Sequence, residues 1–511
     1  MSVEFEKQQS GQNGDGNTMK NSITHDDSLS NHSEGKIFRP RSDHTVVARS
    51  GSYIKAAALI MTTTTLPTLL ALPSALAYLG WVGGLFVLFI ASLGAFYCLH
   101  RLVQLNDFNN GPHLTFPKLG QAITGKKWVY SLIQSLQFAV QWGVGVTNTI
   151  TAAQFMDEMY TYKNPTGGSG DWTQTKFTLL TTAVIILLAF LPDISQRNLF
   201  IIASGSFTLC YSGIAIGLAF GNNNHANADF SILGSTSGRV FNAFNAIGMM
   251  WFVYGDTVYP ELQSFLMPDV QATLSTVETM RTGMYIAFSV TLPLLLVVAV
   301  SGYWAFGNTV APLLLDWEMT PRWLTTIAVV TSIAQLIFSI QVYAQPIYDA
   351  AELTIMKQWP NANWTQHLRK VKGRSRSRSR SSSKKKDDVA VVDYEGGKGS
   401  SSGRQNVYIP SIWLMLITRT LYSLSVGFIA IIFPFFSSIM GLVGAVGLTP
   451  LTYLIPLTLW IMSGGGKGGD LGKVNKYLHI GLAVMFATGG MLATIGSIRS
   501  IIVSFDTFSL G

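Results

Sequence analysis

From Ala56 to His100 the chain runs 45 residues without an Asp, Glu, Lys or Arg, and the first half of that run carries TTTTLPTLLALP, with prolines at Pro67 and Pro73. A membrane-spanning helix takes about 20 residues, so the run holds two spans. Proline withdraws a backbone donor and its ring obstructs the preceding turn. The pattern therefore predicts that the first span unwinds around Leu66, Pro67 and Thr68, beside the hydroxyls of Thr62 to Thr65. Irregular backbone at membrane depth survives only where it is buried in protein or lines a cavity, which makes this stretch a candidate ligand site. The plain alternative is a kinked packing helix.

Apolar windows between charges give 11 candidate spans: 56–79, 82–104, 128–156, 177–193, 198–220, 240–265, 282–306, 323–348, 411–433, 438–462 and 477–500. The expected organisation is all-α and polytopic. A disordered polar N-tail (1–55) precedes spans one to eight (56–348), a basic disordered loop (349–410), spans nine to eleven (411–502) and a short C-tail (503–511). No apolar stretch preceded by basic residues reads as a cleavable signal, so the first span directs insertion.

The sixth window, FNAFNAIGMMWFVYGDTVYPELQSF, is expected to be interrupted as the first is, here by Gly255, Asp256 and Pro260. A carboxylate near the membrane interior costs about 3 kcal/mol on insertion scales, so Asp256 needs a partner or water. Breaks at spans one and six, five apart, are what an inverted five-helix repeat produces, with half-helix ends facing substrate at the midplane.

Charge settles the expected orientation. With the tail on the cytoplasmic side, 29 of the 35 basic residues fall there and 5 on the other face, Arg419 lying within a span. That bias places the N-terminus in the cytoplasm and the C-terminus outside. Only 12% of residues are charged and 48% are hydrophobic, and the net charge of +8 sits almost wholly in one loop (349–410), so it reads as topology and not as nucleic-acid binding. Cys98 and Cys210 fall in different apolar segments, leaving no metal spacing, and are expected to be packed thiols.

Eight segments, in order along the chain, resemble one family. They are LLALPSALAYLGWVGG (69–84), FPKLGQAITG (116–125), VFNAFNAIG (240–248), PELQ (260–263), GYWAFGNTV (302–310), QVYAQPIYDAAE (341–352), RTLY (419–422) and FPFFSSIMGLVGAVGLTPLTYLIPLTLWI (433–461). The family is that of the amino acid/auxin permeases, especially the plant-type amino acid and lysine/histidine transporter-like members. The resemblance implies 11 transmembrane helices in a LeuT-type 5+5 inverted repeat with one added C-terminal helix, carrying amino acids together with protons. The sequence departs from the family in two places. Leu66-Pro67-Thr68 stands where relatives commonly have Gly-x-Gly, and Gly255-Asp256 where many have Gly-His.

An amino acid needs N–H donors for its carboxylate and oxygen acceptors for its ammonium, and broken helices supply both. The expected substrate contacts are the backbone of Leu66, Pro67 and Thr68 with a hydroxyl of Thr65 or Thr68, facing Tyr254, Gly255 and Asp256, with Trp251 as a side-chain wall. Asp256 has three readings: proton carrier, acceptor for the substrate ammonium, or helix cap. Ser332, Ser339 and Gln341 either line the cavity, as in a sodium site, or bond back to their own helix. Glu261 is a cap or a gate. Arg419 either snorkels toward the cytoplasm or acts as a gate against a carboxylate such as Glu261. Trp81, Trp304, Trp323 and Trp460 read as interfacial anchors.

The Arg-Ser run RKVKGRSRSRSRSSSKKKDD (369–388) is low-complexity. Tethered at a cytoplasmic face it is expected to hold anionic lipid, a hold that phosphorylation of Ser375, Ser377 or Ser379 would weaken. Three functions are weighed. The first is a proton-coupled symporter of amino acids working by alternating access, with sodium as the alternative ion. The second is an amino acid sensor signalling through its tails. The third, a channel or a membrane enzyme, finds no nucleotide-binding loop, metal-ligand cluster or nucleophile and base set, so no catalytic residue, metal or cofactor is expected. The plasma membrane is the expected location, with a vacuolar or endosomal membrane as the alternative.

Overall fold

The computed structural model describes residues 37–38, 67–105, 116–163, 172–190, 198–221, 228–232, 235–264, 277–315, 321–362, 364–371, 405–465 and 472–507. The helices are α1 (Leu72–Leu105), α2 (Phe116–Thr124), α3 (Lys127–Lys163), α4 (Gln174–Ala189), α5 (Asn198–Phe220), α6 (Thr236–Ser264), α7 (Val277–Phe306) and α8 (Arg322–Gln358). After the basic loop come α9 (Ile412–Ile432), α10 (Phe436–Leu442), α11 (Ile455–Met462) and α12 (Lys473–Thr507).

A tight 3-10 turn, Pro67–Ala71, leads into α1, which is two helices joined at Gly80. Gly80 takes φ 68°, a conformation open to glycine but strained for other residues. The chain reverses there: a Cβ built on Gly84 lies 3.3 Å from the Cα of Leu76, eight residues back, whereas a straight helix separates such residues by about 12 Å. The expected boundary between spans one and two thus falls on Gly80.

Among the described residues six helical segments are long and apolar enough to cross a membrane: Thr68–Leu105, Tyr285–Thr309, Arg322–Gln358, Ile412–Ile432, Phe436–Met462 and Val474–Asp506. Gln174–Ala189 and Gly205–Phe220 are apolar but shorter. Helices α3 and α6 are long and more polar because their polar residues turn inward: Gln141, Asn148, Thr149 and Thr151 on α3 and Asn245 on α6 are all buried. Asn245 accepts a 2.8 Å hydrogen bond from the Ser497 hydroxyl on α12. Apolar side chains cover the outside, with Val82, Phe86, Trp413 and Val474 well exposed, the pattern of a surface that meets lipid. The protein is a multi-pass integral membrane protein.

The helices sort into two groups. One comprises α3, α4, α8 and α9, which pack on one another. The other comprises α1, α6 and α7, with α12 against α6. Two elements bridge them: α5, which touches both α7 and α8, and the tenth span, which touches both α3 and α6.

Three features differ from the sequence expectation. Helix α6 is continuous from Thr236 to Ser264 and passes through Gly255 and Asp256 without a break. A glycine costs a helix only about 1 kcal/mol and a proline deletes one donor, so packing against α1, α12 and the tenth span carries the backbone across. The irregularity lies instead in the tenth span, where π-helical turns run from Val443 to Leu448 and from Pro450 to Leu454. The amide of Thr449 reaches back to Gly444 and that of Ile455 to Pro450, each five residues earlier.

The stretch 349–410, expected to be disordered throughout, has ordered ends: α8 continues to Gln358, and strands β2 (Gln366–Val371) and β3 (Gln405–Pro410) pair antiparallel. A strand from the expected disordered tail, β1 (Ile37–Phe38), adds in parallel to the other edge of β3. The sheet order is β1-β3-β2, and β1 and β3 rest against α8. Ser411 ties this hairpin to α9, capping the Leu414 amide at 3.1 Å while its hydroxyl also donates to the Trp364 carbonyl.

Candidate functional site

The 3-10 turn Pro67–Ala71 packs against α6, α7 and α8, so the first and sixth spans meet as expected. Thr68 is buried, and the carbonyl of Leu70 accepts a 2.9 Å bond from the amide of Leu314, just beyond α7. Ser74 bonds at 2.8 Å to the Ala71 carbonyl and at 3.3 Å to that of Pro312. The tightened turn is thereby tied to the chain that follows α7. Thr65 and Leu66 lie outside the described residues, as does the side chain of Pro67.

On α6, Tyr254 is fully buried and its hydroxyl has no hydrogen-bond partner among the described residues. Gly255 turns toward the tenth span: a Cβ there would lie 2.9 Å from Leu448, and its carbonyl accepts from Thr452 at 3.4 Å. Trp251 packs on Tyr453 and Phe486 with ring centroids 5.9 and 5.6 Å distant and covers Gly489 of α12. The structure thus uses Trp251 to seat the last helix. The backbones of Asp256 and Glu261 lie in α6, and their side chains fall outside the described set.

A polar seam runs between α3 and α8. Asn148 donates to the Ser339 hydroxyl at 3.2 Å, and Ser339 bonds back to the Leu336 carbonyl at 2.8 Å. Ser332 is fully buried with its Oγ unpartnered among the described residues. Gln335 and Thr208 of α5 exchange bonds of 2.8 and 3.0 Å. Gln341 is committed elsewhere, donating at 2.8 Å to the Ile185 carbonyl of α4.

Arg419 does not snorkel but meets a carboxylate, that of Glu352. It is buried, with its Nε 3.4 Å from Glu352 Oε1, one terminal nitrogen donating at 2.7 Å to the Ala189 carbonyl and its guanidinium 5.1 Å over the Tyr348 ring. The pull of a buried carboxylate outweighs a stretch toward water. Glu352 was not singled out from the sequence. The available signal was positional: Glu352 closes QVYAQPIYDAAE and Arg419 opens RTLY, two of the segments that carry the family resemblance.

At the C-terminal end of α7, residues 228–232 cover the Gly80 turn, Ile232 lying 3.6 Å from a Cβ built on Gly80. Phe230, Trp81 and Tyr303 form an aromatic cluster with centroids 4.7 to 5.7 Å apart. Asp229 accepts from the Ser231 amide and hydroxyl, each at 2.8 Å, and from Asn308 at 3.0 Å. These donors, the Ser231 amide foremost, hold its carboxyl below the usual carboxylate range.

A family model described as "Transmembrane amino acid transporter protein" matches residues 49–502, nearly the whole chain. The chain belongs to that family. This transporter is 24% identical over 482 residues to "GABA transporter 1" of Arabidopsis thaliana, covering 91% of this chain and 94% of that protein. It is 25% identical over 449 residues to "Lysine histidine transporter-like 6" of the same plant, covering 86% and 88%. Among solved structures, MhsT in complex with L-phenylalanine aligns with a TM-score of 0.49 at 10% identity, covering 88% of the transporter and 100% of that chain.

Proposed function

We propose that this protein is a secondary active amino acid carrier, a proton-coupled symporter working by alternating access. Its 11 spans would follow the LeuT-type 5+5 arrangement with one added helix, and the N-terminus would lie in the cytoplasm of a plasma-membrane protein. The observation that carries this reading is the meeting of the tight Pro67–Ala71 turn with α6 and α8, in a chain of the amino acid transporter family. On those two helices the Tyr254 hydroxyl and Ser332 Oγ are buried without partners among the described residues, as groups awaiting a polar ligand are. In this reading Thr65, Leu66, Pro67, Thr68, Tyr254, Gly255 and Asp256 contact substrate, while Asp256, Ser332 and Ser339 serve the coupling ion. The Arg-Ser segment between β2 and β3 would hold anionic lipid until phosphorylated.

The names of the relatives suggest the panel. Uptake of γ-aminobutyrate, lysine and histidine into proteoliposomes, with pH and sodium gradients imposed separately, tests the reading. Uptake driven by the pH gradient supports proton symport, uptake driven by sodium alone replaces the ion, and absence of exchange for every amino acid tried defeats the carrier. A sensor is the second reading, favoured by the sheet that joins tail and central loop at the end of α8; it predicts binding without flux.

A further inference from the structure

We propose that Glu352, paired with Arg419, is the residue that binds the transported proton; the inference rests on the proton-coupled transport proposed above and gives its coupling step an address. Among the described residues Glu352 is the single acidic side chain that is fully buried. Its two oxygens are treated differently. Oε1 takes long contacts of 3.4 Å from Arg419 Nε and from the Thr418 hydroxyl, while Oε2 has no partner among the described residues. A proton can therefore settle on Oε2 without displacing a hydrogen bond.

Arg419 is prepared for that event. Its shortest bond is the one to the Ala189 carbonyl, and the Tyr348 ring lies over its guanidinium, so neutralising Glu352 does not leave the cation bare. An interaction kept only to hold helices together would be expected to form the two-pronged Arg–carboxylate fork, which this pair does not make. The pair also lies wholly within one helix group, joining α4, α8 and α9, which separates it from a gate that opens between groups.

Among the described residues the other ionisable groups around the carboxylate are few. Helix α8 itself contributes Tyr348 and Asp349, the latter receiving a 3.1 Å bond from Gln345, and α9 contributes Arg419 and Tyr422. From α4 comes the Ala189 carbonyl, and the strands that touch α8, β1 and β3, carry only Tyr408. Glu352 lies about 20 Å along α8 from Ser339, so it and the polar seam are connected by one helix, which passes through Pro346 between them. Access of water to the α4, α8 and α9 ends in one transport state and not the other supplies the difference in proton affinity that coupling requires.

The test uses the full chain in proteoliposomes and whichever of γ-aminobutyrate, lysine and histidine the wild type exchanges fastest. A gradient of about two pH units supports accumulation up to about 100-fold when one proton moves per substrate. Glu352→Gln is expected to reduce that accumulation to about onefold, to abolish proton movement reported by an internal pH dye, and to leave an exchange rate that no longer varies with pH. Glu352→Gln that still accumulates substrate and moves protons overturns the inference. If Glu352→Gln does not exchange at all, Glu352→Asp decides: proton movement with a shifted pH midpoint supports the inference, and exchange without proton movement overturns it. Wild type that exchanges substrate without moving protons also overturns it, whereas wild type that exchanges nothing defeats the carrier reading instead.

Discussion

Gly444 of the tenth span rests on the carbonyl oxygen of Gly248 in α6, and a Cβ at either glycine would strike the other helix's backbone. Backbone cannot swing aside as a side chain can. Gly444→Ala is therefore expected to cost about 1 to 3 kcal/mol and to lower the thermal unfolding midpoint of the detergent-solubilised protein. Gly213→Ala provides the contrast, since nothing lies within 4 Å of a Cβ there. It is expected to be neutral or to stabilise by up to about 1 kcal/mol. Equal midpoints for the two variants would contradict the close approach.

Removing one member of a buried pair strands the other. Arg419→Ala is expected to destabilise by about 3 to 5 kcal/mol, and the double replacement Arg419→Ala with Glu352→Ala by clearly less than the two single effects added. Folded yield and thermal midpoint across the four proteins measure the coupling. Additive losses would mean that the two side chains do not sense each other.

The Asp229 cluster responds to acid with a definite sign. Its carboxyl titrates below the usual carboxylate range, so its contribution is complete above the unfolded value of about 4 and is lost as pH falls through the lower folded value. Comparing thermal midpoints of wild type and Asp229→Asn along an acid series is expected to show a wild-type advantage that vanishes at the acid end. A constant gap at all pH values would remove the carboxylate from the explanation.

Strand β1 pairs Ile37 with Val407. Adjacent strands run about 4.8 Å apart, within reach of a disulfide. Ile37→Cys with Val407→Cys should cross-link under mild oxidation of the full-length protein, joining the two fragments made by proteolysis between them. Ile37→Cys with Gln405→Cys should do so far less. Equal cross-linking would mean that the tail is not held in register.

The helices were legible in the sequence because apolar length is what a bilayer selects, and six described segments are long and apolar enough to cross one. Gly80 was a turn between two windows, and the basic loop was apparent from its composition. The continuity of α6 was not legible, because Gly255 and Pro260 register a local cost while the compensating contacts with α1, α12 and the tenth span come from distant sequence. Trp251 illustrates the same limit: its place in the chain suggested a cavity wall, and its place in space is against Gly489. The Glu352–Arg419 pair was hidden for another reason. Its members stand 67 positions apart, on either side of the basic loop, and ion pairing leaves no local periodicity.

The tenth span bridges the two helix groups and carries its hydrogen bonds in long five-residue steps at Val443–Leu448 and Pro450–Leu454. A π turn holds one residue more than the α turn it replaces, so it is stored slack. Gly444, pressed against the α6 backbone at Gly248, fixes that slack at the junction of the two helix groups.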